Sequence, residues 1–134
     1  MTVYLDSSAF VKRYVAEDGG DRLDVLLSND PEWVTASHTL VEVVLVLHRR
    51  LGDTEWMVAR DAFERDWERS YIVSLDGEAC RRAAEFGVAT GARTLDALHL
   101  AAADRVGGRS IPIVTFDIRL GVAARALGFS VIGA

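Results

Sequence analysis

Five short apolar runs, separated by longer stretches of helical spacing, constrain this chain to an alternating α/β architecture. The runs lie at 2–5, 33–36, 71–75, 111–116 and 129–132. Helices are expected from Ser8 to about Glu17, from about Asp21 to Ser28, and from the second run to about Leu51. Further helices are expected to about Arg69 and over 77–89, 94–106 and 118–127. Gly19-Gly20, Gly52-Asp53-Thr54, Thr90-Gly91 and Gly128 supply the breaks between them. Strands joined by helical crossovers run parallel, so the expected fold class is α/β, with a mainly parallel sheet of about five short strands covered on both faces. At 134 residues the chain fits one domain, 1–134.

Against that scaffold four acids stand out. Asp6 ends the run Val3-Tyr4-Leu5, and Asp117 ends Ile113-Val114-Thr115-Phe116. Glu42 interrupts the apolar stretch from Leu40 to Leu47, and Asp96 lies in the alanine- and leucine-rich segment from Leu95 to Ala103. Burying an ionised carboxylate is expensive unless it is paired or bound to a metal. With no Lys or Arg interleaved in those stretches, the expected partner is a hard cation such as Mg2+. In an open parallel sheet, ligands bind outside the carboxyl ends of the strands, where Asp6 and Asp117 fall and where Glu42 can face. On a helical wheel, Asp96 flanks an apolar centre formed by Leu95, Ala102 and Val106.

Each acid also has an ordinary reading. Asp6 and Asp117 read equally well as N-caps, and Thr39 with Glu42 matches the capping-box spacing. Asp96 reads as a polar residue on a helix flank. Asp76 is the natural decoy, since it follows a strand and precedes Gly77-Glu78 as a good cap. The coincidence of four such acids, not any one of them, favours a site.

Composition removes several classes. A chain 50% hydrophobic and 26% charged is globular, not disordered. One cysteine, Cys80, excludes an internal disulfide and leaves too few thiols for a cysteine-based zinc site. No apolar stretch approaches the roughly 20 residues of a membrane span. The first strand starts almost at once with no basic leader, so a cytoplasmic protein is the expectation. A net charge of −5 argues against non-specific DNA coating. It does not exclude a nucleic-acid enzyme whose acidic site is filled by cations.

The same residues resemble the PIN-domain ribonucleases and, within them, VapC-type toxins of toxin–antitoxin pairs. Tyr4-Leu5-Asp6-Ser7-Ser8-Ala9-Phe10 with Lys12-Arg13-Tyr14 is similar to the family's opening motif. Ser37, Glu42 and Leu47-His48-Arg49 resemble the second. Arg93-Thr94-Leu95-Asp96-Ala97-Leu98-His99-Leu100-Ala101 resembles the most recognisable stretch, and Val114-Thr115-Phe116-Asp117 the fourth. The resemblance covers essentially the whole chain. It implies a PIN-like three-layer fold with the strand 71–75 at a sheet edge, which sets Asp76 aside. Some members carry a further acid just after the fourth; here Ile118-Arg119-Leu120-Gly121 follow, which leaves one or two metals open.

What the resemblance implies is a metal-dependent ribonuclease that leaves a 5′-phosphate and a 3′-hydroxyl, acting as a toxin. Asp6, Asp96 and Asp117 would hold Mg2+ (or Mn2+), with Glu42 either a ligand or a water-orienting base. Ser7 and Thr115 would support the carboxylates or make ordinary capping bonds. A cognate VapB-type antitoxin, a homodimer and a toxin–antitoxin hetero-oligomer are implied as partners. His99 reads as a satisfied core histidine more than a general base, with His38 and His48 weaker candidates still. Lys12, Arg13, Arg49, Arg50 and Arg93 are candidates for tracking an RNA backbone or simply for solvated helix faces. Trp56, Phe63 and Trp67 read as core or interface. Two other functions compete: a catalytically inactive PIN-like binding module, and a Mg2+-dependent phosphotransfer or phosphatase domain. The latter commonly sets a second Asp beside the first, where Ser7 and Ser8 stand here.

Overall fold

Period-two alternation in the strands divides the interior into two layers. The structure, a computed structural model, describes residues 1–29 and 31–134. In β1 (Thr2–Leu5), Val3 and Leu5 point to one face of the sheet and Tyr4 to the other. Trp33 and Val34 of β2 (Glu32–Ala36), and Val114 and Ile113 of β4 (Ile113–Thr115), divide in the same way. Val3, Leu5, Trp33 and Val114 pack under α1 (Ser7–Tyr14), α2 (Gly20–Ser28), α3 (His38–Arg50) and α4 (Asp53–Arg69). Tyr4, Val34 and Ile113 pack under α5 (Gly77–Thr90), α6 (Thr94–Gly107) and α7 (Ile118–Ala126). With β3 (Tyr71–Val73) and β5 (Val131–Gly133) these elements form a helix–sheet–helix sandwich.

The five strands are parallel in the order β3-β2-β1-β4-β5, so β3 is at an edge, as the resemblance implies. The chain moves outward from β1 through β2 to β3, then returns to lay β4 on the other side of β1. The seam between β1 and β4 is therefore the topological switch point, where crossovers diverge and leave a crevice at the carboxyl ends. Asp6 and Asp117 leave the two strands that border it.

Boundaries differ from the sequence reading where local chemistry intervenes. The first helix ends at Tyr14 instead of about Glu17, because Val15 turns extended and its N–H closes the helix on Val11. The expected strand 71–75 stops at Val73, and the expected 111–116 shrinks to Ile113–Thr115 beyond Pro112, which lacks an N–H. Gly133 sits beside β4 at φ 108°, and a Cβ there would stand 2.3 Å from the Thr115 carbonyl oxygen, so β5 approaches closely only with glycine.

The expected centre of α6 is wrong. Leu95 and Val106 are exposed, whereas Asp96, Ala97, His99, Leu100, Ala101, Ala102 and Ala103 are buried. Small alanines let α6 lie close to the sheet, and they carry little weight on a wheel dominated by large side chains. Phe63 is fully buried with Trp56 and Trp67 packed around it, consistent with the core reading of α4. No helix among the described residues is long and apolar enough to cross a membrane.

Candidate metal centre

Asp6 ends β1 and caps α1, accepting from the Ala9 N–H at 2.9 Å. The Ser8 hydroxyl and, from the end of β4, the Thr115 hydroxyl also donate to Asp6. Its relative exposure is only 2%. Burial pushes its carboxyl above the ordinary range, even though the nearby His99 and the Thr115, Ala9 and Ser8 donors pull the other way. A buried acid still short of positive charge after three donors is poised to accept a cation.

Asp117 caps α7 through Oδ1, which accepts from the Arg119 and Leu120 N–H groups at 2.8 and 3.2 Å. Oδ2 is left over and faces Arg93. Asp96 is in the first turn of α6 with its side chain largely buried. The capping readings of Asp6 and Asp117 therefore hold, and each cap uses only part of its carboxylate.

Glu42 does not form the capping box. Thr39 instead pairs its hydroxyl with that of Thr35, whose own proton goes to the Leu5 carbonyl, and Glu42 reaches across to α6, where Oε1 lies 2.8 Å from His99 Nε2. An ionised carboxylate only accepts, so Nε2 carries the proton. Nδ1 then accepts from the Tyr4 hydroxyl, 2.7 Å away, which burial keeps protonated. Burial raises the Glu42 carboxyl, but the hydrogen bond from His99, with the His38 ring beside it, holds it below its usual range.

Asp6, Glu42, Asp96 and Asp117 line one cavity of about 420 Å³ with Ser7, Ser8, Arg93, Thr94 and Leu95. All four acids nominated from sequence thus meet at the switch point. Thr115 holds Asp6, Ser7 lines the same cavity, and Ser8, also on Asp6, is the residue that was missed. Ser8 also accepts from the Phe116 N–H, which stitches α1 to the end of β4. The Asp-x-Ser spacing was the available signal for it. The expected lack of cationic partners is also corrected, because Arg93 contacts both Asp96 and Asp117.

Asp76 is not in the cavity. It caps Ala79 and pairs with Arg105 through two bonds of 2.8 Å. Arg13 is committed to Asp66, and Arg50 to Glu17. His99 is a satisfied core residue, as expected, but one that holds Glu42.

The chain matches the PIN domain family model over residues 3–126. It belongs to the PIN-domain family, among the VapC-type toxins. Within that family it is 34% identical to Ribonuclease VapC46 of Mycobacterium tuberculosis, over 97% of this chain and 95% of the relative. Among solved PIN-domain structures, Mycobacterium tuberculosis VapC20, a sarcin-ricin loop cleaving toxin, superposes with a TM-score of 0.75 at 21% identity. That match covers 98% of this chain and 99% of VapC20. A toxin–antitoxin complex from Klebsiella pneumoniae gives 0.71 at 12% identity, covering 97% and 95%.

Two donor sets in this PIN domain have ligand chemistry. His38, Glu42 and His99 bring three ligand atoms within 4.8 Å of one another, a spacing that could hold a divalent ion. However, His99 Nε2 donates to Glu42, and His38 Nε2 lies 3.2 Å from the Leu95 carbonyl, to which it donates. Those two Nε2 atoms carry protons here, whereas the buried His38 Nδ1 has no hydrogen-bond partner. Asp6, Asp96 and Asp117 line the neighbouring open cavity with carboxylates, the oxygen donors that hard divalent ions prefer.

Proposed function

We propose that this protein is a Mg2+-dependent endoribonuclease, the toxin of a type II toxin–antitoxin pair, hydrolysing RNA phosphodiester bonds. The observation that carries this reading is the convergence of Asp6, Glu42, Asp96 and Asp117 on one cavity at the β1–β4 switch point. When bound, a divalent ion would polarise the scissile phosphate and make water a better nucleophile. Asp6, Asp96 and Asp117 would hold the ion. Glu42, held by His99, would orient the attacking water and accept its proton. Thr115 and Ser8 keep Asp6 aimed into the cavity.

Mn2+ substitutes for Mg2+ on this oxygen set, and the products carry a 5′-phosphate and a 3′-hydroxyl. A VapB-type antitoxin, a toxin homodimer, a larger toxin–antitoxin assembly and a cytoplasmic site of action belong to the same reading. It draws support from the family and from the toxin–antitoxin complex that shares the fold.

The test is incubation of purified protein with total RNA in Mg2+, in EDTA, and as the Asp6→Asn variant in Mg2+. RNA loss confined to the first arm is the expected result. Equal decay in all three, or none in any, removes the nuclease reading and leaves an inactive PIN-like binding module.

A further inference from the structure

Arg93 is the one cationic side chain lining the acidic cavity among the described residues. It stands at the N-cap position of α6, where its side chain makes no cap hydrogen bond. Its guanidinium turns inward to the acids. Nη2 donates to Asp96 Oδ2 at 3.0 Å and to Asp117 Oδ2 at 3.1 Å, and Nε reaches Asp96 Oδ2 at 3.1 Å. One nitrogen thus joins an oxygen from α6 to an oxygen from the end of β4. On Asp117 this is the oxygen that the helix cap leaves free.

We infer that Arg93 is an internal counter-ion that occupies the Asp96–Asp117 oxygens, is displaced by the divalent ion, and then binds the RNA phosphate at the cavity mouth. This inference rests on the proposed nuclease reading and deepens it.

Three features support the exchange. A guanidinium bonded to an oxygen pair competes directly with an ion that needs the same oxygens, because both neutralise the same charge. The side chain is 55% exposed, so the pair is readily opened and its hold is modest. On α7 the Arg125 guanidinium is engaged by the Ala134 carbonyl and does not stand in for it once it leaves. The released guanidinium stays within the cavity lining, and its planar fork matches two phosphate oxygens.

The exchange makes two effects of opposite sign for one substitution. In Arg93→Gln, isothermal titration with Mn2+ in the absence of RNA should show binding about two- to fivefold tighter than wild type, the scale of an exposed ion pair removed from competition. Cleavage of a defined RNA at saturating Mn2+ should fall by about tenfold or more, mainly through a raised KM. Arg93→Lys should recover part of the KM, since it keeps the charge and loses the fork. Circular dichroism of the ion-free variants should show intact folds.

A residue that merely holds the site in shape would weaken both ion binding and cleavage. Mn2+ binding unchanged or weakened in Arg93→Gln overturns the competition, and an unchanged KM overturns the phosphate role. If the wild type binds Mn2+ but cleaves no RNA, the nuclease reading and the phosphate role fail with it, while tighter Mn2+ binding by Arg93→Gln would still establish the exchange at the acids.

Discussion

Thr115 donates its hydroxyl to Asp6 across the seam between β4 and β1. Both residues are buried, at 0% and 2% exposure, so the two strand ends that border the switch point are fastened by a side-chain bond as well as by the ladder. The bond links fold to function, since it fixes a carboxylate whose charge burial opposes.

Thr115→Val keeps the shape of the side chain and removes the donor. Ala9 and Ser8 still serve Asp6, so the fold should survive with a loss of roughly 1–2 kcal/mol, less than the full value of a bond to a charged group. Urea melts in EDTA measure this. Mn2+ affinity should drop in the same variant, because Asp6 is no longer held toward the cavity.

The Tyr4–His99–Glu42 chain predicts a difference between two substitutions of one histidine. His99→Leu removes the acceptor of the buried Tyr4 hydroxyl and the shortest bond to Glu42, and should cost about 2–4 kcal/mol of stability and about tenfold or more in cleavage rate. His99→Gln offers an amide N–H to Glu42 and should regain much of the rate. Single-turnover cleavage of one RNA by both variants, at temperatures where each is folded, checks the ordering.

Asp76 supplies a pH test unconnected to the cavity. The hydrogen bonds from Arg105 and the Ala79 N–H lower its carboxyl from 3.8 to about 2. A carboxyl depressed by folding contributes stability that is complete above the ordinary value and is lost as pH falls from about 4 toward 2. Asp76→Asn should flatten that limb of a stability–pH curve measured by denaturant unfolding. RNA cleavage at neutral pH should not change.

Much of this was legible in the sequence, and the misses share a cause. Asp6 and Asp117 were readable because strand ends are marked by where an apolar run stops, and parallel strands put those ends on one edge. Local side-chain pairs also leave a trace: Ser8 is two residues from Asp6, Arg93 three from Asp96, and His38 four from Glu42. The contacts that define the site's electrostatics have no such trace. Arg93 meets Asp117 across 24 positions and His99 meets Glu42 across 57, and only the packing of α6 against the sheet brings them together. That packing depends on alanines, which is also why the exposed Leu95 and Val106 drew the wheel's centre to the wrong face.

The central claim is that the acids at the β1–β4 seam, and not the neighbouring histidines, grip a divalent ion. Anomalous diffraction from crystals soaked in Mn2+ tests it most directly. The account predicts a peak in the cavity within coordination reach of Asp6, Asp96 and Asp117, with the Arg93 guanidinium turned away from both acids. A peak held by His38, Glu42 and His99, or no peak at all at high Mn2+ occupancy conditions, would contradict it.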